Sequence, residues 1–151
     1  MIPLMKRVSL VFAFVVLVTG TAAGCADGDE PSKEEYVSSL NAMCEDFNAR
    51  ERKVGEPRTI ADLATKGPRI QEAFESAIAD KVGSLEAPEE IADQADRLVA
   101  IADEQRDVLS ALVNAARAND FPGVREFASK NAALNRESSS IARDLGADAC
   151  G

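Results

Sequence analysis

The stretch "IADQADRLVAIADEQRDVLSALVNAARA", residues 91–118, contains neither proline nor glycine. Ile91, Ala95, Leu98, Ile101, Ala102, Gln105, Val108, Leu109, Leu112 and Ala116 recur along it at mostly helical spacings. That period lays one apolar stripe along a long helix. The preceding "EAPEE" supplies Pro88 at a first-turn position, with Glu89 and Glu90 where negative charge suits the helix dipole. A helix with a single apolar stripe is not stable alone, so it must bury that stripe against others.

Three such partners are legible. Ser32 reads as the N-cap of a first helix with Glu34 and Glu35 in its first turn, and Tyr36, Val37, Leu40, Met43, Cys44 and Phe47 along one face. Gly55 and Pro57 stop it. Thr59 and Asp62 form a capping-box-like pair opening a second helix, on which Ile60, Leu63 and Ala64 begin a stripe. Pro68 removes an interior hydrogen bond, so a kink or restart is expected at Gly67–Pro68, after which Ile70, Ala73, Phe74, Ala77, Ile78, Val82 and Leu85 continue the face. Asp120 caps the last helix, with Phe121, Val124, Phe127, Ala128, Leu134, Ile141 and Leu145 expected to face inward and Gly146 ending it. No segment shows the alternation of a strand. The expected fold is all-α: an antiparallel up-down four-helix bundle over residues 33–151.

The N-terminus has a different character. Lys6 and Arg7 precede an apolar run from Val8 to Val18, followed by the small residues Gly20 to Gly24. Basic, apolar and small-residue regions in that order define a secretory signal peptide over residues 1–24. The apolar run of about eleven residues is well short of the ~20 that cross a bilayer. "AAGC", residues 22–25, resembles the lipobox of bacterial lipoproteins, with Ala22 standing where leucine is usual. That resemblance implies cleavage before Cys25, diacylglycerol on its thiol, and a lipid anchor at the extracytoplasmic face of the cell membrane. A plain secretory cleavage, leaving a soluble protein, is the alternative. Residues 25–32 read as the acylated cysteine and a short polar linker, in which the seven residues after Cys25 span at most ~25 Å.

The cysteine count bears on the same question. Cys25, Cys44 and Cys150 are an odd number, anomalous for a secreted chain unless one thiol is consumed. Lipidation of Cys25 leaves Cys44 and Cys150 for one disulfide, which an oxidising compartment permits. No CxxC pair suggests redox or metal chemistry instead. Cys44 lies about a dozen residues into its helix, so either the "GADAC" tail folds back along that helix or the last helix is staggered. "YVSSLNAMC" (36–44) and "LGADAC" (145–150) resemble elements shared by a group of small, largely uncharacterised actinobacterial secreted or lipid-anchored helical proteins; Tyr36, Asn41, Cys44, Leu145, Gly146 and Cys150 carry the likeness. It implies architecture and no activity.

Without residues 1–24, 26 acidic residues face 15 basic ones, a net charge of −11 that disfavours nucleic acid and anionic headgroups as partners. Histidine is absent. That removes the usual general base near neutral pH, the Ser-His-Asp constellation, the Glu-x-x-His motif of di-iron bundles and a histidine haem ligand. Asp93, Asp96, Asp103 and Asp107 read as a solvated flank rather than a cation site, because a helix face supplies no converging loop ligands. "SSS" at 138–140 has no base in reach, Lys130 lying too far along the same helix. The expectation is a protein without catalysis, cofactor or metal.

Gln105, Asn131 and Ser138 interrupt otherwise apolar stripes. Buried polar groups need partners, so these residues either pair and fix helix register or line a small-ligand cavity. The leading expectation is a binding or scaffolding role toward an envelope protein, and the alternative is a carrier or sensor of a small apolar or lipid-like ligand.

Overall fold

The computed structural model describes residues 31–151. The expected signal peptide, the lipobox and Cys25 lie outside the described residues. Within them the chain is helical and contains no strand. Four long segments account for the fold: α1 (Lys33–Val54), α2 (Ile60–Phe74, running on through a π-turn at Glu75–Ala79 and a last α-turn at Asp80–Val82), α3 (Ala92–Arg117, entered through a 3-10 turn at Glu89–Ile91) and α4 (Phe121–Leu145). They run up, down, up and down, as the short connections require.

The helix starts follow from the caps. Ser32 Oγ accepts from Glu35 N at 3.2 Å and Glu35 Oε2 accepts from Ser32 N at 2.9 Å, a complete capping box. The Ser32 N–H, and then the Ser32 hydroxyl donating to the same Oε2 at 3.1 Å, hold the Glu35 carboxyl below its usual range. Thr59 Oγ1 accepts from Asp62 N at 3.0 Å, and Asp120 Oδ1 accepts from Gly123 N at 3.1 Å. Each bond satisfies an N–H that the helix itself leaves unpaired.

Two expectations need correction. Of the kink or restart expected at Gly67–Pro68, the restart does not occur, both residues lying inside the unbroken helix Ile60–Phe74. A Cβ on Gly67 would lie 2.7 Å from Val113 Cγ2 on α3. Gly67 therefore lies against α3 with no room for a side chain, and the helix runs on despite the hydrogen bond that Pro68 cannot donate. The irregularity appears later, as the π-turn. Secondly, Phe121 does not face inward but is 60 % exposed, and Ala128 is exposed too. Phe121 is the first residue of α4, at the tip of the α3–α4 hairpin, where no helix lies opposite to cover it.

Helix α3 is central and packs against both α2 and α4, while α1 packs on α2. The Phe47 and Phe74 rings meet edge to face, centroids 5.9 Å apart, joining α1 to α2. The main core gathers Tyr36, Leu40, Phe74, Leu98 and Leu145 at the end of the bundle that holds the start of α1 and the end of α4. Ile101, Val108 and Leu134 form a smaller cluster between α3 and α4. Between α1 and α4 the principal contact is made by the C-terminal tail. Gly146, in the left-handed region at φ 95°, turns the chain, and a 3-10 turn at Asp148–Cys150 lays it back along α1.

The tail is fixed from both sides. Asn41 Oδ1 accepts from Ala149 N at 2.9 Å, and Asn48 Nδ2, two helical turns on, donates to Ala149 O at 3.1 Å. From α4, Ser139 Oγ donates to Cys150 O at 3.2 Å. The Cys44–Cys150 disulfide closes the arrangement with Cα atoms 5.2 Å apart. Of the two routes by which the bridge could form, the molecule takes the folded-back tail.

Candidate functional site

A cavity of about 350 Å³ lies between the four helices, beside the disulfide. Leu98, Ile101, Ala102 and Leu109 of α3 form its floor. One wall is α1 and α2 (Leu40, Met43, Phe47, Ile70, Phe74 and Ile78), the other is α4, and Ala149, Cys150 and Gly151 close one end. The cavity exists because the seam between α1 and α4 is filled by a short tail instead of by two helical stripes in direct contact. It falls in the size range of small-molecule sites and exceeds the ~30 Å³ share of one water about tenfold. Its exposed wall residues, Glu51, Asn135 and Gly151, mark the mouth.

The structure brings Gln105, Asn131 and Ser138 together in this one cavity. Gln105 is buried, and its Nε2 donates to Asn135 Oδ1 on α4. Ser138 is half-buried and its hydroxyl donates to Asn135 O of its own helix at 3.1 Å. Asn131 differs: its Oδ1 is buried without any hydrogen-bond partner. A buried amide oxygen left unpaired costs about 1–3 kcal/mol relative to a satisfied one. The second such atom among the described residues is the Tyr36 hydroxyl, which lies in the main core and not in the cavity wall. Burial, and then the negative charge of Asp96, push the Tyr36 phenol above its usual range.

Sequence reasoning overlooked Asn48, Glu51, Asn135 and Ser139 as cavity residues. The signal was present on α4, where Asn131, Asn135 and Ser138 stand at i, i+4 and i+7 and so share one helix face. Elsewhere the charged groups pair on the outside. Arg97 grips Glu137 across α3 and α4 through Nε–Oε1 at 2.7 Å and Nη2–Oε2 at 2.9 Å, holding the Glu137 carboxyl below its usual range. Arg106 spans Asp103 and Asp80. Among the described residues no cluster of three or more His, Cys, Asp or Glu side chains could hold a metal ion, and no helix is long and apolar enough to cross a membrane.

Comparison with family models, with curated proteins and with solved structures returns no significant match. What the site can do is therefore read from its own chemistry. A chamber lined by apolar side chains together with amides and hydroxyls is suited to holding a small molecule.

Proposed function

We propose that this protein is a non-catalytic binding protein that carries or senses a small amphipathic molecule in the interhelical cavity. The observation that carries the reading is the chamber of about 350 Å³, with Gln105, Asn131 and Ser138 among its lining residues. Scaffolding alone does not call for a partly open cavity among the helices, since close packing stabilises a bundle. Of the two roles left open by the sequence, the cavity favours carriage.

The site of action proposed is the extracytoplasmic face of the cell membrane, reached by acylation of Cys25. The signal-like N-terminus and "AAGC" support it, and a disulfide suits an oxidising compartment. Helix α1 starts at Lys33, so so short a tether would keep the cavity close to the lipid surface.

The uncharged dye N-phenyl-1-naphthylamine, whose emission rises in apolar surroundings, tests the reading. Wild type should bind it saturably, and Ser138→Phe, which projects a ring into the cavity from its wall, should abolish the signal while leaving the circular dichroism spectrum unchanged. Equal enhancement in both proteins would refute the cavity as the site.

A further inference from the structure

We infer that the molecule held in the cavity has an apolar body and an uncharged head bearing hydroxyl groups, and that the site discriminates against anionic amphiphiles such as fatty acids. This rests on the binding reading above and names its ligand class.

Three observations converge on it. The cavity wall is uneven: the α2 side is aliphatic and aromatic, Asn48 and Glu51 stand among the apolar side chains of α1 and Gln105 among those of α3, and Asn131, Asn135, Ser138 and Ser139 line the α4 side. A bound molecule therefore meets apolar surface along α2 and most of the amides and hydroxyls along α4. No lysine or arginine lines the cavity, and its one ionisable side chain is the carboxylate Glu51 at the mouth. An anionic head would lose its hydration without gaining a counter-charge. Finally, Asn131 lines the cavity and its side-chain amide makes no hydrogen bond; its Oδ1 is fully enclosed, so the opposite end of the amide is the one a bound molecule can meet. A hydroxyl both donates and accepts, so it can pair with that end. A quaternary ammonium, which can do neither, would leave the amide unpaired. Glu51 attracts such a cation only across an exposed, solvent-screened mouth.

The test compares three amphiphiles sharing a ten-carbon chain, each titrated calorimetrically below its micelle-forming concentration: decyl glucoside, decyltrimethylammonium and decanoate. Decyl glucoside should bind at least about tenfold more tightly than either other compound, the worth of one hydrogen bond in a desolvated site. Asn131→Leu, checked for folding by its thermal melt, should shrink that ratio toward one by weakening the glucoside alone. Equal affinities, or tightest binding of decanoate or the ammonium, would overturn the ligand class while leaving a binding cavity in place. Failure of all three to bind overturns it as well, and the uncharged dye then reports separately whether the cavity reading stands.

Discussion

Removing the Cys44–Cys150 bridge is the sharpest perturbation of the architecture. The two residues are 106 apart in sequence, so the bond closes most of the domain into one loop. The chain-entropy relation gives about 16 cal/mol/K for a loop of that size, or about 4.8 kcal/mol at room temperature. The native tail need not move when the bond is lost, because Asn41, Asn48 and Ser139 still hold Ala149 and Cys150 through backbone groups. The loss therefore falls on the unfolded state. Cys44→Ala with Cys150→Ala should lower the unfolding free energy by about 4–5 kcal/mol and the midpoint temperature by roughly 15–20 °C for a domain of about 120 residues. Because the uncrosslinked unfolded chain expands further, the urea m-value should also rise. Urea titration followed by circular dichroism measures both. A loss below about 1 kcal/mol, or an unchanged m-value, would refute the assignment of the effect to the unfolded chain.

Three other perturbations bear on different parts of the account. Gly67→Ala gains roughly 1 kcal/mol of helix propensity but forces a methyl against Val113, an overpacking that costs about 1–3 kcal/mol. Net destabilisation by urea titration is expected in wild type and stabilisation in a Val113→Ala background; stabilisation in wild type would contradict the close crossing. The chain has a single tyrosine, so ultraviolet absorbance of the phenolate follows Tyr36 alone. It should titrate above the ordinary value of about 10 in the native protein and near it in denaturant. With the folded value raised, its stabilising contribution is complete below the unfolded value and disappears as pH rises through the folded one. Tyr36→Phe should abolish that alkaline loss and leave stability at neutral pH unchanged or higher, since the buried hydroxyl has no partner; a native midpoint at or below 10 would contradict its burial. A palmitate analogue fed to expressing cells should label wild type and not Cys25→Ala, and equal labelling would exclude the proposed anchor.

Local chemistry in this chain was legible wherever one residue acts on its own helix. Ser32, Thr59 and Asp120 cap as their side chains require, and most apolar stripe residues face the core; the Cys44–Cys150 bridge was legible from the cysteine count instead. Features set between helices were harder to read. Pro68 suggested a kink or restart because its missing donor is visible in one dimension, whereas the close Gly67–Val113 approach between α2 and α3 is not. Phe121 fits an apolar stripe but extends beyond the end of the helices that would cover it. Gln105, Asn131 and Ser138 were recognisable as polar residues on apolar faces. Their meeting in one chamber depends on the tail that keeps α1 apart from α4.

The central claim is that the chamber beneath that tail accepts a molecule, and methyl and side-chain amide resonances report on it directly. During addition of decyl glucoside, the Met43 and Ile101 methyl signals and the Asn131 amide pair should shift together along one saturating curve, with Phe121 at the hairpin tip unmoved. Shifts confined to Phe121 and the outer faces of the helices, with Met43, Ile101 and Asn131 unchanged at saturation, would contradict it.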